Sequence, residues 1–114
     1  MVSMVDIQSF GNEVLGDANP VLLAVLGAGG ETANQVETLD TVSRRFQRKL
    51  KVCQVEENSL EAFKGRYHVM GTPTYLLFHK GREQERMLGV ADKDSLAGFV
   101  ARTLGWVEEP AKEN

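Results

Sequence analysis

The sequence predicts an α/β domain in which a mixed β-sheet carries helices on both faces. Three stretches indicate this fold class. The run VLLAVL at residues 21–26 is apolar throughout, which is typical of a central strand buried on both sides. The segment LKVCQVE at residues 50–56 alternates and indicates a second strand. The segment TYLLFHKGREQERML at residues 74–88 places a turn at Lys80 and Gly81 between two further strands, which predicts a hairpin.

The elements before the hairpin alternate between strand and helix. Residues 1–7 predict a short edge strand, and Ser9 is a candidate cap for a helix that follows. After the central strand comes the most regular helix, with an apolar stripe made of Val36, Leu39, Val42 and Phe46. The next strand places Leu50, Val52 and Gln54 on one face of the sheet, and Lys51, Cys53 and Val55 on the other.

Two more helices complete the prediction. Asn58 is expected to cap a short helix, with Glu61 at capping-box spacing and an apolar side of Leu60, Phe63 and Tyr67. The last helix begins near residues 92–95 and buries Leu96, Phe99, Val100 and Leu104. The order β-α-β-α-β-α-β-β-α requires a parallel pair joined by a right-handed crossover. We expect one domain at residues 1–105, followed by a charged tail at residues 106–114.

Composition excludes several classes of function. The chain has 114 residues, 42% of them hydrophobic, and 13 basic against 16 acidic residues give a net charge of −3. This balance argues against a nucleic-acid surface. The longest apolar run is too short to span a bilayer, and no signal peptide is recognised at the N-terminus. The single cysteine cannot form an internal disulfide. The predicted location is therefore the cytoplasm, with no membrane association.

Several segments, in order along the chain, resemble the thioredoxin family. GTPT at residues 71–74 resembles the loop that carries the family's cis-proline, and LLFHKG at residues 76–81 resembles its strand and glycine turn. MLGVADKDSLAGFVARTL at residues 87–104 resembles the final strand, glycine and helix. SFGNEVL and VLLAVL resemble the first helix and the central strand. The resemblance implies a thioredoxin fold, with a mixed central sheet of four to five strands flanked by about four helices.

The resemblance also implies that the redox residues of the family are missing. Its Cys-x-x-Cys positions fall on Gly29 and Thr32, so the active-site loop reads Gly29-Gly30-Glu31-Thr32. Thiol–disulfide exchange needs a thiolate, which neither glycine nor threonine provides. Cys53 is interpreted as a small buried residue, because it lies within an inner strand and away from any helix N-terminus. We therefore expect no catalytic residue and no cofactor. Thr32 and Gln35 are at capping-box spacing, which explains Thr32 by folding alone.

The shape of the family's peptide-binding groove is retained. The resemblance assigns to this groove Ala28, Glu31, Thr72, Pro73, Gly89 and Val90. The main chain of the residue before the proline would pair with an extended peptide, as in strand addition. This predicts a protein-binding adaptor or chaperone-like module whose partner is a protein or an extended peptide. The alternative is structural, since a proline and a glycine in these loops can serve the fold alone.

Other interpretations of the glycine-rich loop at residues 27–32 remain. It follows a strand and opens a helix, where anions bind, and glutathione or another small anion is a possible ligand. The dinucleotide-binding fingerprint does not match, because it needs a third glycine where Thr32 stands, and Glu56 is only approximately placed as its ribose-binding acid. The P-loop motif does not match either, because its lysine is absent. His68 and His79 lack ligand spacing, so no metal site is predicted. A structural subunit of a larger assembly is a third possibility, to which Trp106 and the tail could contribute.

Overall fold

A computed structural model describes residues 1–27, 29 and 32–106 of the chain. It contains five strands and three longer helices. The strands are β1 (Val2–Val5), β2 (Val21–Val25), β3 (Lys51–Val55), β4 (Thr74–His79) and β5 (Arg82–Leu88). The helices are α1 (Thr32–Arg45), α2 (Leu60–Tyr67) and α3 (Lys93–Leu104). One wide turn of π-helix at Gly11–Leu15 occupies the place of the predicted first helix.

The strands form one mixed sheet in the order β1-β3-β2-β4-β5. Strands β1 and β2 both run parallel to β3, while β4 is antiparallel to β2 and to β5. The predicted sheet is confirmed, including the edge strand and the hairpin. The turn residues Lys80 and Gly81 have φ angles of 57° and 78°. Two successive positive φ angles are typical of the tight turn that matches the twist of a two-residue hairpin.

Alternation along the strands divides the interior into two clusters, one on each face of the sheet. The first face packs against α1 and α3, and its cluster includes Leu22, Ala24, Leu39, Val52 and Val100. The second packs against α2 and the N-terminal helical turn, and its cluster includes Phe10, Leu23, Cys53, Phe63 and Phe78. Strand β2 has no exposed residue, which confirms the prediction from its uniformly apolar sequence.

The buried face of α1 differs from the predicted stripe at its first position. Leu39, Val42 and Phe46 are buried as expected, but Val36 is 39% exposed. Gln35, one residue earlier, is only 1% exposed. The prediction was wrong here because it excluded a polar residue from the interior, and the hydrogen bonds that permit its burial are formed by distant parts of the chain.

Helix α2 also begins differently from the prediction. A short 3₁₀ turn at Glu57–Ser59 leads into the helix, and Ser59 precedes it without a side-chain cap. The expected cap from Asn58 is therefore wrong. The Ser59 hydroxyl instead accepts a hydrogen bond from the Ile7 main-chain N–H, at 3.1 Å. Asp92 does cap α3, since its carboxylate accepts from the Ser95 N–H at 2.8 Å.

Trp106, which the prediction places at the start of the tail, contacts the domain. Its ring lies 5.5 Å from that of Phe46, between centroids, and the Lys49 ammonium lies over it at 4.9 Å. Residues 107–114, the remainder of the predicted tail, lie outside the described residues. No helix in the described part of the chain combines the length and the apolar character that crossing a membrane requires.

Candidate functional site

Three loops meet at the end of the sheet where β2 finishes. The first follows β2 at Leu26 and Gly27, the second contains Thr72 and Pro73, and the third follows β5 at Gly89. The peptide bond between Thr72 and Pro73 is cis. The Gly89 N–H donates to the Pro73 carbonyl oxygen at 2.8 Å, which joins the second and third loops.

A close contact joins the first loop to the second. A Cβ added at Gly27 would meet the Thr72 hydroxyl, with the Thr72 Cβ only 3.3 Å away. A side chain at residue 27 would therefore fit only if the Thr72 side chain moved. This close approach of the two loops favours glycine at residue 27.

Thr32 begins α1, and its side chain turns back to the loop that joins β2 to this helix. Its hydroxyl donates to the Gly27 carbonyl oxygen at 2.6 Å. The predicted capping box is wrong, because the Gln35 side chain forms its hydrogen bonds elsewhere. Thr32 instead fixes the start of the helix to the loop that follows β2.

The Gln35 amide makes a buried network that sequence reasoning missed. Its Nε2 donates to the Ala91 carbonyl oxygen at 3.1 Å, and its Oε1 accepts from the Ala91 N–H at 3.2 Å. The same oxygen accepts a hydrogen bond from the Tyr75 hydroxyl. Burial raises the pKa of Tyr75 to about 12, so the phenol remains a neutral donor. Two features of the sequence could have indicated this network. Gln35 stands beside the apolar stripe of α1, and Tyr75 lies in the apolar strand β4.

A pocket of about 230 Å³ opens where the loops meet. Its lining residues are Leu26, Gly27, Gly29, Thr32, Gln35, Thr72 and Pro73. A second pocket of about 180 Å³ lies beside it towards β3 and shares Leu26, Gly27 and Thr32 with the first. None of the described residues that line these two pockets is basic. The described part of the lining therefore offers no arginine or lysine side chain to a phosphate.

The structure brings several of the predicted site residues together. Gly29, Thr32, Thr72 and Pro73 line the same pocket. Gly89 joins them through its hydrogen bond to Pro73, and it has a φ of 106°, which favours glycine. Val90 is 53% exposed beside this loop. Ala28, Gly30 and Glu31 were also predicted in this region and lie outside the described residues.

Exposed apolar side chains flank the proline loop. Met70 precedes the loop and is 90% exposed, while Leu88, at the end of β5, is 67% exposed. The Leu88 side chain lies 3.8 Å from where a Gly71 Cβ would be, so strand and loop are neighbours. These residues and Val90 give this side of the domain several large apolar groups in contact with solvent.

Cys53 lies in the second cluster, between the neighbouring strands β1 and β2. It pairs with Ser3 on one side and with Leu23 on the other, and it has no exposed surface. Burial raises the pKa of its thiol to about 11, although Lys51 opposes the shift. The thiol is therefore protonated at neutral pH and has no access to a substrate.

The remaining predictions concern metal ions and the histidines. No group of three or more His, Cys, Asp or Glu side chains in residues 1–27, 29 and 32–106 is arranged to hold a metal ion. His68 has a left-handed conformation at the end of α2, and His79 ends β4. Both histidines thus lie at the ends of elements and outside the pocket lining.

The element order, the mixed sheet and the cis-proline loop together define a thioredoxin-type fold. The sequence model of the family described as Thioredoxin matches residues 2–102. A thioredoxin of Pseudomonas aeruginosa is 33% identical over 93 residues, which are 81% of this chain and 86% of that protein. A thioredoxin of Rickettsia prowazekii is 27% identical over 105 residues, covering 91% of this chain and all of that protein. The chain belongs to the thioredoxin family.

Proposed function

We propose that this protein is a binding module of the thioredoxin family that holds an extended protein segment without exchanging disulfides. What supports this most is the exposed main chain of Thr72. Neither its N–H nor its carbonyl oxygen has a hydrogen-bond partner among the described residues, although β4 begins two residues later. An extended peptide can pair with such a free edge by strand addition.

Two further features support binding without redox chemistry. The positions that correspond to the family's cysteines hold Gly29 and Thr32, and the Thr32 hydroxyl is engaged with Gly27. Cys53 is buried and protonated. We further propose that the protein acts in the cytoplasm, as expected of a chain with a single cysteine.

Site-specific photo-crosslinking in the native cell tests the binding role. A benzophenone amino acid replaces Val90, which is 53% exposed beside the proline loop. The matched control replaces Met4, which is 51% exposed on the edge strand β1. A discrete protein crosslinked from residue 90 and not from residue 4 would support the proposal. Equal crosslinking from both positions, or none from residue 90, would contradict it.

An insulin-reduction assay tests the absence of redox activity. The protein as it exists is expected to give no turnover above the rate of the reductant alone. The double substitution Gly29→Cys and Thr32→Cys serves as the positive control, because it restores both cysteine positions at the start of α1. Turnover by the unsubstituted protein would contradict the proposal.

The small-ligand alternative rests on the pocket itself, which is open and adjoins the N-terminus of α1. Its described lining lacks a basic residue, which does not favour an anion. A thermal-shift assay with millimolar glutathione or inorganic phosphate distinguishes this alternative, because a ligand of the folded state raises Tm by mass action. The assembly alternative predicts a solution mass above 12.6 kDa.

A further inference from the structure

The edge of the sheet formed by β1 is separated from β2 and its loop by strand β3. An open groove of about 730 Å³ lies between this edge and α1, and we call it the β1–α1 groove. We propose that this groove docks an extended segment of a second partner protein, with apolar residues and one lysine or arginine at alternate positions. The lining residues are Met1, Val2, Ala33, Val36, Glu37 and Asp40, none of which lines the pockets of the candidate site.

The main chain of β1 is free to pair on one side, because β1 ends the sheet and has β3 as its neighbour. The Val5 carbonyl oxygen accepts from the Glu56 N–H at 2.8 Å. Successive residues of a strand direct their main-chain groups to opposite sides, so the groups of Ser3 also face β3. Those of Val2 and Met4 face the open side. A segment can therefore join the sheet at β1 by strand addition.

Apolar side chains beside this edge are in contact with solvent. Met1 is 86% exposed, Met4 is 51% exposed and Val36 is 39% exposed. Val2 packs partly against the first cluster, so Val2 and Met4, two residues apart, both point to the face that α1 covers. Opposed residues of paired strands share a face, so every second side chain of an added segment would lie beside these groups. Their burial favours a segment with apolar residues at alternate positions.

The charge of the groove favours a foreign segment over a second copy of this chain. Asp40 pairs with Arg44, whereas the Glu37 carboxylate has neither a hydrogen bond nor an ion pair among the residues that the structure describes. Residues 1–43 contain six acidic residues and no lysine or arginine. A second copy that added its own β1 would therefore bring no basic side chain with that strand. A lysine or arginine in the docked segment complements Glu37.

A peptide titration followed by NMR tests this surface. The ¹⁵N-labelled protein is titrated with Ac-Thr-Val-Thr-Lys-Thr-Val-Thr-NH₂, whose valines and lysine share one side when it is extended. We expect saturating shifts at the amides of Val2, Met4 and Val36. Replacing the lysine of the peptide by glutamate should raise Kd about fivefold. Replacing both valines by serine should raise Kd about tenfold or more.

The position of the shifts and the order of the affinities decide the outcome. Equal Kd for the three peptides would overturn the docking surface, as would the absence of any shift. Shifts confined to Gly27, Gly29 and Thr72 would place the peptide at the candidate site and would also overturn it. A protein crosslinked from residue 4 should differ from one crosslinked from residue 90, which reports on the proposed function separately.

Self-association is the competing occupant of the β1 edge. In the absence of peptide, we expect a sedimentation mass of 12.6 kDa. The Val2 and Met4 amides should exchange with solvent faster than those of Ser3 and Val5, because they face the open side. A larger mass, together with slow exchange at Val2 and Met4, would show that a second copy occupies the edge and would overturn the proposal.

A charge reversal on α1 localises the preference for lysine. Glu37→Lys should weaken binding of the lysine peptide about fivefold and remove its advantage over the glutamate peptide. Glu61→Lys is the matched control, since the Glu61 side chain is 90% exposed on α2, which covers the opposite face of the sheet. This control should retain the advantage. An unchanged advantage in a folded Glu37→Lys protein, with native amide dispersion in its NMR spectrum, would overturn the charge selection.

A proline at residue 4 tests the main-chain pairing. Met4→Pro removes an N–H that faces the open side, while the bonds between β1 and β3 are formed by other residues. Met4→Ala is the control, because it removes the same side chain and keeps the N–H. We expect Kd for the lysine peptide to be about fivefold higher in Met4→Pro than in Met4→Ala. Equal binding by the two folded variants would overturn strand addition at β1. If Met4→Pro does not fold, the Glu37→Lys comparison decides.

Discussion

The Gln35 side chain connects parts of the chain that are far apart in sequence. Its amide joins α1 to the Ala91 main chain just before α3, and to Tyr75 in β4. Ala91 follows the loop that contacts Pro73, so the network also holds one wall of the candidate site. A polar residue inside the domain is tolerated here because each buried side-chain polar atom among the described residues has a partner.

Substitutions in this network should differ in cost. Tyr75→Phe removes one hydrogen bond and is expected to lower the free energy of unfolding by about 1 kcal/mol. Gln35→Leu leaves both Ala91 groups and the Tyr75 hydroxyl without partners and should cost about 3 kcal/mol. Urea denaturation of each variant and of the double variant measures the costs and their coupling. Additive effects of the two substitutions would contradict a shared network.

The buried thiol of Cys53 should make stability depend on alkaline pH. Its pKa is raised to about 11 in the folded protein from an ordinary value of 9.0. The protonated thiol therefore contributes fully to the free energy of unfolding below pH 9. That contribution is lost as pH rises towards 11, and the free energy of unfolding falls by up to about 3 kcal/mol. Urea denaturation at pH 7 and at pH 10.5 measures this loss. Between these two pH values, the free energy of unfolding should fall by less in Cys53→Ala than in the wild-type protein. An equal loss in both proteins would contradict the raised pKa.

The β4–β5 hairpin shows how a turn sets the pairing of two strands. Lys80 and Gly81 both have positive φ, and the pairing of His79 with Arg82 follows directly. The lysine adopts a conformation that L-residues with long side chains rarely take. The sequence predicted the position of this turn from Lys-Gly, and the backbone angles explain why a glycine follows.

Substitutions at the turn should change stability in opposite directions. Gly81→Ala places a Cβ at positive φ and is expected to cost about 1 kcal/mol. Lys80→Asn creates the Asn-Gly pair that such turns prefer and should add roughly a few tenths of a kcal/mol. Lys80→Gln is the control, since it removes the same charge without tolerating positive φ. Thermal denaturation followed by circular dichroism gives the order, and a Gln variant as stable as the Asn variant would contradict the backbone explanation.

The domain as a unit depends on β2, which contributes to the clusters on both faces of the sheet. Leu22 and Ala24 belong to the cluster under α1 and α3, and Leu23 belongs to the cluster under α2. Both faces thus share one strand and its hydrogen bonds. This arrangement predicts that neither face unfolds while the other remains.

The single tryptophan makes this cooperativity measurable. Trp106 contacts Phe46 and reports on the face covered by α1 and α3. Phe63→Ala, in the opposite cluster, should cost about 3–5 kcal/mol. The transitions measured by tryptophan fluorescence and by far-ultraviolet circular dichroism should shift together by the same amount. A fluorescence transition that stays at its wild-type position would show that the two faces unfold independently.

The fold was largely predictable because each strand and helix has its own local pattern. The uniform apolarity of β2, the alternation of β3, the Lys-Gly turn and the Asp92 cap can each be recognised within a short stretch of the sequence. Local patterns failed to predict burial at positions where a helix contacts parts of the chain that are distant in sequence. Val36 is exposed and Gln35 is buried because Ala91 and Tyr75 supply partners that no short-range pattern contains.

By itself, the sequence determined the family, the order of the elements and the absence of an internal cysteine pair. Only the tertiary structure decided how the loops meet. In it the Thr32 hydroxyl donates to the Gly27 carbonyl oxygen, and Gly27 lies against Thr72. The residues described in the lining of the pocket are all uncharged. The physical reason is range. Propensity and periodicity act within a few residues, whereas these contacts bring position 72 against positions 27 and 32, which only the folded sheet places together.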